Sequence, residues 1–525
     1  MSLILLLSIL TPATAALLLA VLPKKVPTVF VLGLGLAGFI VPAVLSLQVF
    51  LAYLATGTGE YQFLGVVDTG LSNLGIALRL GVNGVSVILL LLSGIVGLAA
   101  GITAVLSVAD RKRTYLALLL MMQTGLMGIF STYDLFYIYF FHEFALIPTF
   151  IMIAIWGGTH RRAAAMEMTI YLTLGAMLSL VGLIGIYAGN DLGSFDLITL
   201  SDHIATVGLS GTLQNSLFAL LLVGLGILVS LFPFHSWAPR GYGAAPTSVA
   251  MLHAGVLKKF GLYVLIQVAL PLLAEGALEW SNLLAVLAVG NIVLIGLVTM
   301  AQKDFKQMIS YASVMHMGYI FLGIASLSVI GVGGAVFLMF AHGLSAALLF
   351  NLAVAVQNRC RTFYMDEMGG LGKDAPILAG FLMAATMASI GLPGFANFWG
   401  ELTIFISLWD WNPLFMVLAL LGIVISAIYG LRAVSAIAFG EVSENLKAIK
   451  KEHPIRDLNG MERLPAIVLL AALLFFGLFP SFASDPIARA VETHVLRVAP
   501  EAQQQTLEAR SAESLLQPAA PVPNE

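Results

Sequence analysis

The sequence has a single cysteine, Cys360, in 525 residues. That excludes an internal disulfide, and one thiol alone cannot hold a zinc ion or an iron–sulfur cluster, so redox centres are expected in other chains. Charge is equally scarce. Only 10% of the residues are Asp, Glu, Lys or Arg, against roughly 25% in a soluble domain, and a net charge of −3 offers no basic surface to a nucleic acid. No glycine-rich fingerprint opens a strand–helix unit, and no strand is expected in the chain, so nothing resembles a nicotinamide or flavin site. His235 and His253 stand on different helices with no acidic ligand beside them, which speaks against a metal centre.

What the chain has instead is apolar length: 59% of its residues are hydrophobic. Windows of about 20 apolar residues, enough to cross a bilayer, recur at 2–22, 27–54, 82–107, 114–131, 133–157, 165–188, 213–236, 246–271, 281–301, 306–326, 329–358, 375–409, 413–440 and 464–482. This is the pattern of an all-α, polytopic membrane protein with fourteen spans. The first window lacks a basic leader and runs on to Leu22, so it reads as a span rather than a signal peptide. Loops after odd-numbered spans carry Lys24, Lys25, Arg111 to Arg113, Arg161, Arg162, Arg240, Lys303, Lys306, Arg359, Arg361, Lys373 and a cluster from Lys447 to Arg463. Loops after even-numbered spans hold Arg79 among acids such as Asp191, Asp196, Asp202, Glu275, Glu279 and Asp410. The positive-inside rule then expects odd loops in the cytoplasm and both termini outside, in a membrane of the bacterial inner type.

Two spans carry proline near their middle, SLFPFHSW around Pro233 and GLPGFANFW around Pro393. They lie five spans apart, so residues 111–272 and 273–440 are expected to form two five-helix repeats of opposite orientation. A three-helix segment, 1–110, precedes them. A loop with the last span, 441–482, and an amphipathic then disordered tail, 483–525, follow. Beside the first break, the eighth span carries Lys258 and Lys259 near its middle. A lysine at the centre of a membrane helix costs roughly 3 kcal/mol on insertion scales, so it is expected to face a bundle interior or a water path. Glu143, His316, His342 and Glu401 occupy similar depths in the fifth, tenth, eleventh and twelfth windows. With Lys259 they make a line of acid, amine and imidazole groups across the midplane, as proton relay requires.

The runs AGVLKKFGLY (254–263), AQKDFKQMISYASVMHMGYIFLGI (301–324), AHGLSAALLF (341–350), LPGFANFWGE (392–401) and FFHEFALIP (140–148) resemble the antiporter-like chain M subunits of the proton-translocating NADH–quinone oxidoreductases, the respiratory complex I family. The resemblance covers roughly residues 80 to 440. It implies fourteen helices, two inverted repeats and broken seventh and twelfth spans. It also implies proton-carrying roles for Glu143, Lys259, His316, His342 and Glu401, and a translocase whose NADH, flavin and iron–sulfur clusters sit in partner subunits. Its partners would be other membrane-arm subunits and the lipid bilayer, with quinone met only indirectly. One departure matters. The family's lysine five residues before the seventh-span proline is Leu228 here, and the Asp-Ala-His that usually follows that span reads Arg240, Gly241 and Tyr242. Lys258, which replaces the leucine expected beside Lys259, could restore the count of positive charges, and so could His142 or His253; the alternative is a diverged chain whose first half conducts differently or does not conduct. Rival readings are a multisubunit cation/proton antiporter subunit, a membrane-bound hydrogenase subunit, or a non-conducting scaffold.

Overall fold

The computed structural model describes residues 2–23 and 25–496. Its spans run Ser2–Val21, Thr28–Thr56, Gly84–Leu106, Lys112–Ile129, Leu135–Trp156 and Arg161–Ala188, then the seventh in two pieces, Gly211–Val229 and Trp237–Ala244. Thr247–Leu272, Ala274–Ala301, Phe305–Ala325 and Val329–Cys360 follow. The twelfth is again split, Pro376–Ser389 and Ala396–Trp411, before Pro413–Ala438 and Gly460–Leu478. At 1.5 Å per residue each continuous helix is about the length of a bilayer core.

Helix starts are set by short polar side chains that accept the orphan N–H groups of the first turn. Asn83 caps the third span in a capping box with Ser86. Asp134 caps the fifth, Asp304 the tenth, Ser328 the eleventh and Asn459 the fourteenth. The ninth helix begins at Ala274, ahead of the apolar window at 281. Glu275 and Glu279 therefore lie in its opening turns rather than in a loop, where Glu275 faces the positive end of the helix dipole.

The third, eighth, tenth and eleventh spans form the centre. The eighth is buried along its whole length, whereas the first, second, sixth, thirteenth and fourteenth show apolar side chains to the surroundings. A helix enclosed on every side is normally apolar all round, and here it carries two lysines. Its backbone is also irregular. Turns at His253–Leu257 and Leu265–Ala269 widen to i→i+5 hydrogen bonding, and so does Gly290–Ile295 in the ninth span.

The expectation of a strandless chain is corrected. Gln62–Val67 pairs antiparallel with Leu78–Val82, in the connection between the second and third spans. Its Phe, Leu and Val residues favour a pleated surface, and Leu80 extends the pairing to Thr132 at the foot of the fifth span. Arg79 leaves this hairpin to pair with Asp134 and, at 3.2 Å, with Asp196, so connections after the second, fourth and sixth spans meet on one face. At the opposite end, Arg359 pairs with Glu462 at 3.0 Å, Arg361 with Glu452 at 2.8 Å and Lys450 with Asp374 at 2.6 Å, joining connections after the eleventh and thirteenth. Alternate connections therefore share a face, as the charge alternation requires. The tail opens with a helix, Ser481–Ala490, that buries Ala483, Ile487 and Ala490. It lies against Gly84, where a Cβ would strike the Pro486 carbonyl. The disordered end expected for the tail, residues 497–525, lies outside the described residues.

Both breaks are healed by asparagine chemistry or glycine geometry. In the first, the Asn291 amide accepts from the Phe232 N–H at 2.6 Å and donates to the Ser230 carbonyl at 3.0 Å and the Val314 carbonyl at 2.9 Å. One side chain thus satisfies backbone groups that lipid could not. In the second, Gly391 and Gly394 adopt φ of 82° and 102°, conformations that side chains disfavour.

Candidate functional site

Lys259 is withdrawn completely from the surroundings, at 0% exposure. Its amine donates to the Ala254 carbonyl at 2.6 Å and lies 3.0 Å from His342 Nδ1. The His342 ring centroid is 5.5 Å from that of His316. His316 in turn faces the carbonyls of Ala312 and Ser389, and Ser389 is the last residue before the break in the twelfth span. Beyond that break Glu401 is buried, at 4% exposure, with its carboxylate against Gly391, where a Cβ would fall on Oε2. Four of the residues singled out in the sequence therefore form a buried polar series, Lys259, His342, His316 and Glu401, running from the eighth span to the second break.

Glu143 stands apart from this series. Its side chain is 33% exposed, on an outer face of the fifth span, and Oε1 lies 3.2 Å from His142 Nδ1 without hydrogen-bond alignment. The same face exposes Phe140, Ile147 and Ile151. His142 points inward and stacks on Phe260, ring centroids 3.8 Å apart, so the fifth span reaches the eighth next to Lys259 in sequence.

Lys258 does not face lipid. It is 2% exposed, donates to the Ser313 carbonyl at 3.4 Å, and its amine lies 5.6 Å from the centroid of the Tyr242 ring. Ser313 adjoins Val314, whose carbonyl holds Asn291 at the first break, so Lys258 sits beside that break while Lys259 points to His342 of the eleventh span. The two lysines diverge as residues 100° apart on a helix must. Leu228 is packed in the last turn before the break. Arg240 is drawn to the basic face by Glu167, 2.7 Å away. His235 lies within the break, Nδ1 3.1 Å from the Pro233 carbonyl. Ser313 and Asn291 were not singled out from the sequence; the signal available was a polar side chain inside an apolar window.

A cavity of about 1270 Å³ opens on the face of the odd-numbered connections, lined by residues of those after the third, fifth, seventh, ninth and eleventh spans and by Glu462 and Pro465 at the start of the fourteenth. Its floor is the turn from Gly243 to Ser248. Lys306 donates to the Ala245 carbonyl of that turn at 2.8 Å, and Tyr115 meets Ser248 at 2.6 Å. Lys258 lies ten residues along the eighth span from Ser248, about 15 Å of helix and half the thickness of a bilayer core. Among the described residues no three His, Cys, Asp or Glu side chains cluster so as to hold a metal ion.

The chain and its fold have known counterparts. The family model described as NADH:quinone oxidoreductase/Mrp antiporter, TM, matches residues 132–426. NADH-quinone oxidoreductase subunit M of Rickettsia felis is 32% identical over 83% of this chain and 87% of the relative. NAD(P)H-quinone oxidoreductase chain 4 of Gloeobacter violaceus is 31% identical over 94% of each. Among solved structures, a chain of respiratory complex I from Thermus thermophilus superposes with a TM-score of 0.82 at 27% identity, covering 94% of this chain and 99% of that one. A chain of the Mrp complex from Dietzia reaches the same TM-score at 20% identity, covering 96% and 99%, a likeness of fold. The protein belongs to the family of antiporter-like membrane subunits of NADH–quinone oxidoreductases, and within it to the chain M, or chain 4, group.

Proposed function

We propose that the chain translocates protons as a membrane-arm subunit of an NADH–quinone oxidoreductase. The observation that carries this reading is the contact of the Lys259 amine with His342 inside a buried series that ends at a broken helix. A proton held on Lys259 passes to His342 through the 3.0 Å contact, then to His316, and leaves toward Glu401 past the second break. Glu143 and Lys258 serve the first half of the path, within residues 111–272, and the groups from His316 to Glu401 serve the second, within 273–440. Each broken helix exposes backbone polar groups to the path and lets its two halves move independently. The nicotinamide, flavin and iron–sulfur chemistry falls to partner subunits, and quinone is met only by them.

The odd-numbered connections are cytoplasmic by their excess of Lys and Arg. The cavity at the floor of Gly243–Ser248 is then the cytoplasmic mouth, and the membrane is the bacterial inner membrane. Glu143, a carboxyl on an outer face at mid-membrane depth, is covered by a neighbouring membrane-arm subunit in the assembly, since a lipid-facing acid is costly. The test is to purify the intact assembly through this chain and reconstitute it in vesicles. The reading expects flavin and iron–sulfur subunits to copurify and NADH oxidation by quinone to drive proton uptake. Copurification of small cation/proton antiporter subunits alone would contradict it.

A further inference from the structure

The buried pair Tyr242 and His253 takes no part in the Lys259 series; Tyr242 stands where the family's Asp-Ala-His ends, and His253 is one of the groups that could restore the charge lost at Leu228. Tyr242 is wholly buried, and its hydroxyl lies 3.1 Å from His253 Nδ1. The other ring nitrogen, Nε2, is buried without a hydrogen-bond partner. A polar atom left so is costly unless it serves as a donor or acceptor in passing. The two residues also lie close along the chain to the turn Gly243–Ser248 that lines the cavity. Tyr242 immediately precedes Gly243, and His253 follows Ser248 by five residues, about 7 Å of helix.

Backbone geometry joins the pair to Lys258. Residues five apart on a regular helix point about 140° away from each other. Here the Lys258 N–H reaches the His253 carbonyl at 2.9 Å, closing the widened turn His253–Leu257. Both side chains then address the same tyrosine, His253 at its hydroxyl and Lys258 over its ring. Widened turns of this kind occur often at functional sites.

We propose that His253 and Tyr242 relay protons from the cavity to Lys258, doing the work for which relatives use a seventh-span lysine at the position of Leu228. The relay rests on the proton-translocating reading above. In one passage a proton is taken up at His253 Nε2, and the Nδ1 proton moves to the Tyr242 oxygen as the hydroxyl proton passes, by way of a water molecule, to an uncharged Lys258 amine. The imidazole and the phenol end neutral, and Lys258 ends as an ammonium.

The test compares Tyr242→Phe, His253→Gln and Lys259→Ala in the assembled complex, reading NADH-driven proton uptake by vesicles and the amount of assembled complex. Tyr242→Phe keeps the ring, its packing and its face toward Lys258, so a purely structural role survives it. His253→Gln keeps a hydrogen bond to Tyr242 but cannot exchange a proton between two ring nitrogens. The relay expects each to slow uptake about tenfold or more with assembly retained. Uptake at the wild-type rate in an assembled Tyr242→Phe complex overturns it. If one variant fails to assemble, the other decides, and failure of both to assemble marks the pair as structural and overturns the relay. Loss of uptake in Lys259→Ala with normal uptake in the other two removes the relay alone. Normal uptake in Lys259→Ala removes the broader reading.

Discussion

The Lys259 amine and His342 Nδ1 lie 3.0 Å apart, with the amine wholly buried and the imidazole 2% exposed. Neither of the adjacent lysines draws its hydrogen bonds from a carboxylate: their partners are the Ala254 and Ser313 carbonyls and an imidazole. Two amines buried next to each other with neutral partners stabilise nothing by themselves, since charge withdrawn from water is repaid only by close pairing. Their presence is understandable where protons come and go.

Replacing Lys258 by leucine tests the first half of the path. Lys258→Leu is expected to leave the complex assembled, because it removes a buried charge and restores an apolar side chain in an apolar helix, yet to lower proton uptake several-fold, by about 1 kcal/mol or more in barrier. Uptake at the wild-type rate would show that the first half works without it.

At the second break, Gly391→Ala places a methyl on the Glu401 carboxylate at a backbone φ of 82°. The left-handed conformation costs a side chain about 1–2 kcal/mol, and the carboxylate must move away from the break. Reduced uptake with assembly largely kept, measured beside Glu401→Gln, is the expected result. An unaltered rate in both would detach Glu401 from the path.

The Arg79–Asp134 pair anchors the start of the fifth span. Asp134 is fully buried and Arg79 half-buried, so Arg79→Ala leaves a buried carboxylate with its backbone N–H partners but without its cation, and should be destabilising by at most about 3–5 kcal/mol, the cost of breaking a buried pair. Adding Asp134→Asn should recover part of that. Burial pushes the Asp134 carboxyl up to about 6, while helix N–H groups and Arg79 pull it down. Because this lies above the ordinary value of about 3.9, the group's contribution is present in full below about pH 4 and is lost as pH rises through about 6. Without Arg79 the loss extends to higher pH. Thermal unfolding midpoints of the wild type and both variants across that range would show it.

Orientation can be read chemically, since Cys360 is buried. Lys451→Cys, in the connection after the thirteenth span, should react with a membrane-impermeant thiol reagent only after the cells are opened. Asp68→Cys, at the end of the hairpin, should react in intact cells. The reverse pattern at both sites would invert the assignment of faces.

Much of this fold is legible in the sequence because bilayer-length apolar runs and basic loops are signals along one dimension. Thus Pro233 and Pro393 mark real breaks, and Lys258 and Lys259, read as neighbours 100° apart, do find different partners, Ser313 and Tyr242 for the one and His342 for the other. What depends on contacts between distant segments is not legible in that way. The hairpin Gln62–Val67 with Leu78–Val82 was hidden in a connection whose apolar runs are too short to count as spans. The widened turn at His253 is a property of backbone register rather than of side-chain type. Glu143 looked like a member of one midplane line because depth can be counted along a helix, whereas the face it occupies is decided by packing. Arg79, the one Lys or Arg in the connections that follow the even-numbered spans, was a clue to the Asp134 and Asp196 cluster.

The central claim is that protons cross the membrane through Lys259. The direct measurement is NADH-driven proton uptake by vesicles containing the assembled complex with Lys259→Ala, normalised to the amount of assembled complex. The account predicts a fall of about tenfold or more with assembly unchanged. Uptake at the wild-type rate in the assembled variant would contradict it.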